Sequence, residues 1–206
     1  MSEYVQIHPK NPQARLLMRV AERIRTGAVV AYPTDSSYAL GCHIGDKDAL
    51  ERIRRIRDFG RQHHFTLLCR DLSEVSVYAR FDNQAFRLLK LLTPGPYTFV
   101  LPATHGVPRR ALHEKRKTIG IRIPDHPTAL ALLQALNEPL MSCTLILPGE
   151  ALPLNEPEQV YNALANQVDI IVDSGTCGLE PTTVLDLSAG EPRVLRQGKG
   201  DVSRLL

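Results

Sequence analysis

The chain has 206 residues, 43% of them hydrophobic and 23% charged, a composition typical of a soluble globular protein with an apolar core. No stretch approaches the roughly 20 apolar residues that a membrane span needs, and no basic segment leads into an apolar one at the N-terminus. We therefore expect one domain over residues 1–206, a cytoplasmic location and no membrane partner.

The four cysteines lie far apart and form no CxxC pair, and the seven histidines show no metal-ligand spacing. We expect the cysteines to be reduced and mostly buried, and we expect no structural metal. The cysteines are Cys42, Cys69, Cys143 and Cys177.

Positive charge is concentrated in two segments, residues 51–70 and 105–122. Together they hold twelve basic and three acidic side chains, or +9, whereas the remaining residues sum to −6 because the whole chain carries +3. Such segregation indicates a surface that attracts phosphate or another anion. Taken singly, each segment is equally well explained as a solvated helix or loop face.

In the first half of the chain, predicted helices and strands alternate. Asn11-Pro12 predicts a helix start and Gly27 its end, and a buried strand follows at 28–32. Asp46 is predicted to cap a second helix, with most arginines of ERIRRIR on its outer face. The pattern further predicts a strand at 65–69, a capping box at 71–74 and a helix at 82–92.

The second half continues the alternation. It predicts helices near 127–136 and 156–166 and strands at 97–101, 118–123, 140–147, 168–172, 182–187 and 194–196. Interleaved elements of both kinds indicate one mixed sheet layered with helices, an α+β fold. Residues 148–157 form the most linker-like segment.

Strand TIGIRI places three isoleucines on one face and Thr118, Gly120 and Arg122 on the other, because side chains alternate along a strand. Gly120 permits close approach to the backbone, and Arg122 offers a fork for a carboxylate or phosphate. The alternative is an edge-strand arginine that reaches solvent. In LMSCTLIL the pattern indicates core, with at most two exposed hydroxyls.

Polar residues Thr34, Asp35, Ser36 and Ser37 follow the strand at 28–32 directly. Such hydroxyls either cap the next helix or turn, or hold a small polar ligand. Hydrogen bonds to turn amides are the expected role of Asp35 and also of Asp186, although both could help to place magnesium. Tyr32, Tyr38 and Phe99 are expected in the core, and His63 and His64 in solvent.

Several motifs in a fixed order carry a family resemblance. YPTDSSYALG resembles the PTxTxYGLG opening of the YrdC/YciO family, the threonylcarbamoyl-AMP synthase-like proteins, and TPGPYTFVLPA resembles its PGPxTxxL segment. TIGIRIPDHPTALALL resembles the family's TxxxRxPxHP element, and PTTVLDL with VLRQGKGD resembles STxxD and LRxG. The match runs from about residue 11 to 200, and IRRIRDFGRQHHFTLLCRDL is most similar to the YciO branch.

The resemblance implies a YrdC-like twisted mixed sheet with a large, positively charged concave surface that binds nucleotide and double-stranded RNA or tRNA. Family enzymes join L-threonine, bicarbonate and ATP into threonylcarbamoyl-AMP and release pyrophosphate, a step toward threonylcarbamoyladenosine in tRNA. The implied catalysis needs no protein nucleophile. It depends on positioning and on cations, including magnesium held mainly through the phosphates.

The resemblance also implies roles for individual residues. Arg122 would bind the threonine carboxylate, and hydroxyl groups would surround the rest of that ligand. The implied threonine site is Thr34, Thr118, Arg122, Thr144 and Thr182, and the implied nucleotide-phosphate site is Arg57, Arg61 and Arg196. The basic segments would contact RNA through Arg52, Arg54, Arg55, Arg109, Arg110, Lys115, Arg116 and Lys117.

Two departures from the family pattern bear on activity. The family's Lys-x-Arg pair reads Arg57-Asp58-Phe59 here, and its Ser-x-Asn reads Thr144-Leu145-Ile146. Arginine is not equivalent to lysine at a phosphate, and isoleucine cannot form the hydrogen bond of asparagine. The sequence therefore predicts RNA and nucleotide binding with reduced synthase activity. The alternative is a non-catalytic RNA-binding module, an accessory of translation or ribosome function.

Overall fold

The computed structural model describes residues 1–58, 65–112 and 115–203. Within these residues, ten strands form one continuous sheet. The strands are β1 (Glu3–Gln6), β2 (Val30–Pro33), β3 (Tyr38–His43), β4 (Thr66–Leu68), β5 (Tyr97–Pro102), β6 (Thr118–Arg122), β7 (Leu140–Thr144), β8 (Ile170–Asp173), β9 (Thr183–Asp186) and β10 (Arg193–Arg196).

The described residues also form six α-helices and one short 3₁₀ helix, Arg109–Ala111. Three of the α-helices begin where an aspartate accepts a hydrogen bond from a backbone N–H of the first turn. The α-helices are α1 (Ala14–Arg25), α2 (Lys47–Arg57), α3 (Leu72–Tyr78), α4 (Asn83–Leu92), α5 (Pro127–Leu136) and α6 (Pro157–Leu164).

The sheet order is β1-β8-β2-β3-β7-β4-β6-β5-β9-β10, with parallel and antiparallel pairs mixed. The prediction of an α+β fold with a mixed sheet is confirmed. Strands β1 and β3 were not predicted. The run Tyr38–His43 is buried almost throughout, so it lacks the alternation that marks a half-exposed strand.

Most predicted boundaries lie within a few residues of the observed ones. Helix α1 begins at Ala14, two residues after Pro12, and strand β7 ends at Thr144 rather than at 147. The predicted capping box is only half formed. Asp71 accepts from the Glu74 N–H at 2.8 Å, but the Glu74 carboxylate accepts from the N–H of Arg70.

Two apolar clusters lie on the two faces of the sheet. Helices α1 and α5 pack on one face, and α2, α3, α4 and α6 pack on the other. Neighbouring residues of β2 divide between them, since Val30 faces α1 whereas Ala31 faces the second layer. Because the α1–α5 cluster reaches only as far as β4, the same face of β6, β5 and β9 stays open.

The predicted core residues are confirmed in the structure. Tyr32, Tyr38 and Phe99 are fully buried, and all four cysteines are free thiols, three of them buried and Cys177 partly so. Among the described residues, no helix is long and apolar enough to cross a membrane.

His126 forms the N-cap of α5 and gives the chain a pH-sensitive point. Its Nδ1 accepts a hydrogen bond from the Ala129 N–H at 3.4 Å. Burial lowers the pKa of the imidazole below its ordinary 6.5, with Asp35, Arg122 and Asp125 close enough to modify the shift. Below about pH 6.5 the unfolded chain therefore takes up a proton that the folded chain resists, and stability falls as the pH drops.

We expect the free energy of unfolding to decrease between pH 7.5 and 5.5, and to decrease less in His126→Asn, which keeps a capping side chain without a titrating ring. Urea denaturation at both pH values measures this difference. The exposed His105→Gln serves as control. If the free energy of unfolding of His126→Asn decreased with pH as much as that of the wild type, His126 would not be the titrating group.

Candidate functional site

A cavity of about 560 Å³ lies on the open part of the sheet face. Its wall includes side chains from seven strands, from the turn between β2 and β3, and from the end of α2. It forms there because α1 and α5 cover the neighbouring strands and leave this part of the face without a helix.

The cavity floor is built from adjacent strands in register. Gly120 of β6 stands opposite Thr66 of β4 on one side and Val100 of β5 on the other, and Thr66 in turn stands opposite Ser142. A Cβ at Gly120 would lie 3.0 Å from the Thr66 Oγ1, so the missing side chain keeps the middle of the floor open. Small and hydroxyl-bearing side chains thus surround a bare stretch of backbone.

All residues of the predicted threonine site line this one cavity. Arg122 is buried, and its strand β6 lies between β4 and β5 in the sheet interior. The alternative of an edge-strand arginine that reaches solvent is therefore wrong. The structure brings together Thr34, Thr118, Arg122, Thr144 and Thr182, while their binding role stays a prediction.

Arg122 forms a buried ion pair with Asp35, and the side chains are only 7% and 9% exposed. Its Nη1 also donates to the Ser36 Oγ at 3.1 Å. The expectation that Asp35 bonds turn amides is wrong, because one carboxylate oxygen accepts from Arg122 and the other has no hydrogen-bond partner. The Nε of Arg122 is likewise buried without a partner. An ordered charge pair with unsatisfied polar atoms therefore stands at this end of the cavity.

The hydroxyls at 34–37 form the turn of the β2–β3 hairpin and also line the cavity. The Thr34 Oγ1 donates to the Ser37 carbonyl at 2.7 Å and accepts from the N–H groups of Ser36 and Ser37. The Lys199 ammonium donates to the carbonyl of Asp35 from the C-terminal segment. The hydroxyls stabilise the turn, and three of their residues also border the cavity.

Thr182 and Arg196 stand together on the wall. The Thr182 Oγ1 lies 2.9 Å from the Thr98 Oγ1, and the Arg196 guanidinium donates to the Thr182 carbonyl at 2.9 and 3.2 Å. Burial lowers the pKa of Arg196 from its ordinary value. Arg196, predicted as a nucleotide-phosphate residue, thus contacts Thr182 of the predicted threonine site.

Arg57 lies at the end of α2 and lines the cavity together with Cys143 and Ile146. Burial raises the pKa of the Cys143 thiol to about 12, although a hydrogen bond and the charge of Arg57 act to lower it. The thiol is therefore a neutral part of the wall at physiological pH. Arg61, the third predicted phosphate residue, lies outside the described residues, as do His63 and His64.

The predicted RNA residues do not share one environment. Arg55, Arg109, Lys115 and Lys117 are exposed, and Arg52 pairs with Asp169 at 2.8 Å. Arg116 is also exposed, yet it lines the cavity. The side chain of Arg110 lies outside the described part of the chain.

Arg54, predicted to contact RNA, is an exception to the prediction that most arginines of α2 lie on its outer face. The residue is only 8% exposed, and its guanidinium stacks 5.2 Å from the centroid of the Phe65 ring. The cation–π contact explains how an arginine is tolerated there. A side chain so buried has little surface left for RNA.

Several cavity residues were not assigned to the site from the sequence. Thr66 and Thr98 lie on predicted strands, and Ser142 was interpreted as core. Alternation places Thr98 and Val100 on one face of β5, but only the sheet order shows that this face adjoins Gly120. Asp35 pairs with Arg122 of the cavity wall, and no local pattern reveals this contact.

The donor set does not fit a protein-held metal. Among the described residues, no three His, Cys, Asp or Glu side chains gather as ligands. Asp35 is paired with Arg122, and Asp186 accepts from the Ser188 N–H at 2.9 Å and lies 3.6 Å from the Arg116 guanidinium. The expectation that Asp186 accepts a hydrogen bond from a turn amide is confirmed.

Known proteins resemble this chain in both sequence and structure. Escherichia coli YciO is 54% identical over the full length of both chains, and its crystal structure superposes with a TM-score of 0.96. A threonylcarbamoyl-AMP synthase of Chromobacterium violaceum is 31% identical over 91% of this chain and 96% of its own.

The crystal structure of P. abyssi Sua5 complexed with L-threonine is 25% identical, with a TM-score of 0.91, and the match covers 99% of this chain and 60% of Sua5. The family model of Sua5, YciO and YrdC proteins, whose description reads "Telomere recombination", matches residues 22–198. The chain belongs to the Sua5/YciO/YrdC family.

Proposed function

We propose that the chain binds ATP and L-threonine in the cavity and retains a reduced L-threonylcarbamoyladenylate synthase activity, linked to threonylcarbamoyladenosine in tRNA. In the same proposal its basic surface binds double-stranded RNA or tRNA, and the protein works in the cytoplasm as a single YrdC-like domain over residues 1–206.

One observation carries the proposal. Three arginines from distant parts of the sequence, Arg57, Arg122 and Arg196, line the same cavity as a set of threonine and serine hydroxyls. Cations suit the carboxylate and phosphate groups of the two substrates, and hydroxyls suit the polar parts of an amino acid. The relationship to a threonylcarbamoyl-AMP synthase and to a threonine-bound Sua5 supports the same substrates.

The reaction balances without a covalent enzyme intermediate. The threonine nitrogen attacks bicarbonate, water leaves, and the resulting carbamate oxygen attacks the α-phosphorus while the bond to pyrophosphate breaks. Negative charge passes to the departing pyrophosphate, so guanidinium groups on the wall would stabilise the transition state. Magnesium would come with the phosphates, since the residues that the structure describes offer no cluster of carboxylate, histidine or cysteine ligands for it.

In this scheme each part of the cavity has a distinct task. Arg122 binds the threonine carboxylate, while Thr34, Thr118, Thr144 and Thr182 surround the rest of the amino acid. Arg57 and Arg196 face the phosphates. Holding both substrates together in this way converts a reaction between separate molecules into one within the complex.

Activity is proposed to be reduced because Ile146 lines the cavity where the family pattern has a hydrogen-bonding asparagine. Loss of one such contact costs about 1 to 3 kcal/mol, or roughly ten- to a hundredfold in affinity or rate. The missing second cation after α2 would lower activity further.

We expect slow pyrophosphate release that depends on threonine when the protein is incubated with threonine, bicarbonate and ATP. A coupled phosphate assay at high enzyme concentration, with reactions lacking threonine as blanks, measures it. Release equal to the blank would remove the catalytic half of the proposal.

A second candidate, a binding module without turnover, is favoured by the same departures at Ile146 and after α2. It predicts duplex RNA affinity that falls steeply with salt, without nucleotide chemistry. Titration of labelled duplex RNA at several salt concentrations tests this. Salt-independent binding, or none, would contradict the RNA part of both candidates.

A further inference from the structure

We propose that Arg116 binds the phosphate chain of the nucleotide within the cavity, an inference that deepens the proposed function and rests on it. The sequence pattern grouped Arg116 with the RNA contacts of its segment. The structure places its side chain on the cavity wall, whereas the neighbouring Lys115 and Lys117 are exposed and do not belong to the described wall.

A buried carboxylate orients Arg116 toward the cavity. The Arg116 Nη1 lies 3.6 Å from the Asp186 Oδ2, and the Asp186 side chain is only 6% exposed. The other oxygen of Asp186 accepts hydrogen bonds from Ser188, which fixes the carboxylate on its strand. The anchor that holds Arg116 is therefore more rigid than the arginine itself.

The position of Asp186 links Arg116 to the open floor. Asp186 of β9 stands opposite Val100 of β5, and Val100 stands opposite Gly120 of β6. The anchor of Arg116 thus lies in the same cross-strand row as the bare glycine, two strands away. A phosphate chain lying over Gly120 would have the guanidinium beside it.

The ion pair with Asp186 leaves Arg116 able to bind a ligand. Its side chain is 64% exposed, and the 3.6 Å separation is long for a charge-assisted hydrogen bond. Such partly exposed pairs contribute little to stability. A guanidinium carries five N–H donors in a planar fork, so Arg116 can keep Nη1 beside Asp186 and donate from its other nitrogens to the charged oxygens of a polyphosphate.

The other arginines of the wall show why a further cation is useful. Arg122 is assigned to the threonine carboxylate, so Arg57 and Arg196 are the two wall arginines already assigned to the phosphates. A triphosphate carries several negative charges into a partly enclosed space, where each charge needs a partner. Arg116 would add a third guanidinium to those of Arg57 and Arg196.

The test measures binding of ATP, adenosine and inorganic tripolyphosphate to the full chain by titration calorimetry. We expect Arg116→Ala to weaken ATP and tripolyphosphate about tenfold and to leave adenosine unchanged, because adenosine has no phosphate. The affinity of Arg116→Lys for ATP and tripolyphosphate should lie between those of the wild type and Arg116→Ala, since lysine keeps the charge but not the planar fork. Arg15→Ala, which removes an exposed arginine of α1, is the matched control and should bind all three ligands as the wild type does.

Two results would overturn the inference and are distinguishable. If the wild type binds ATP and Arg116→Ala binds it equally well, Arg116 is no phosphate ligand, and a parallel loss of duplex RNA affinity would return it to the RNA surface. If the wild type binds neither ATP nor tripolyphosphate, the proposed function itself fails, and the inference fails with it.

Discussion

Replacing Arg122 by Met should raise the threonine dissociation constant by about 10- to 100-fold, because charge-assisted hydrogen bonds to the ligand carboxylate contribute about 1.5 to 3 kcal/mol. Titration calorimetry with threonine in the presence of ATP measures the change. Methionine keeps much of the side-chain volume, so the effect reports the lost charge rather than a cavity.

The same substitution should also lower stability, because it leaves Asp35 buried and unpaired. Breaking a buried ion pair in this way costs about 3 to 5 kcal/mol, and the two side chains are only 7% and 9% exposed. The double variant Arg122→Met with Asp35→Asn removes both charges and should recover most of the lost free energy of unfolding.

The double variant separates binding from folding. We expect its free energy of unfolding to be close to that of the wild type, yet its threonine affinity to be as low as that of the single variant. Wild-type threonine affinity in the double variant would mean that Arg122 acts only by neutralising Asp35, and would contradict its role as a threonine ligand.

Replacing Gly198 by Ala should destabilise the chain by about 1 to 3 kcal/mol and weaken nucleotide binding. An added Cβ would lie 2.2 Å from the Pro181 carbonyl oxygen and 2.7 Å from that of Thr182, and backbone atoms cannot yield as a flexible side chain can. Since Lys199 N–H donates to the same Pro181 carbonyl at 2.9 Å, the whole segment must shift.

That shift would move Arg196, which lies two residues earlier and donates to Thr182. Both the free energy of unfolding, measured by urea denaturation, and the ATP affinity, measured by titration, should therefore decrease. Gly45→Ala is the matched control, because its Cβ would meet the His43 ring at an ordinary 3.4 Å. Equal stability of the two glycine variants would contradict the close approach at Gly198.

Local physical rules explain which elements were predictable. Asp46, Asp71 and Asp82 cap helices through hydrogen bonds made within one turn, so a short window of sequence contains all the information. Strand β3 was missed because it is buried on both faces, and β1 because four residues, only one of them buried, carry little pattern.

In the candidate site, too, features set by local sequence were predictable and features set by long-range packing were not. Alternation in β6 predicted that Thr118, Gly120 and Arg122 share a face, and the structure agrees. It could not predict that Arg54 turns inward onto Phe65, or that Asp35 lies against Arg122 across 87 residues, because both contacts depend on packing between separate elements.

The amino-acid sequence by itself determined the kinds of side chain available to the site, the faces of the strands that carry them and the family to which the chain belongs. Only the tertiary structure decided that helices α1 and α5 stop short of β6, β5 and β9, and that this uncovered face collects Arg57, Arg116, Arg122 and Arg196. The physical reason is that strand order and helix coverage arise from long-range packing, which no periodicity along a single segment records.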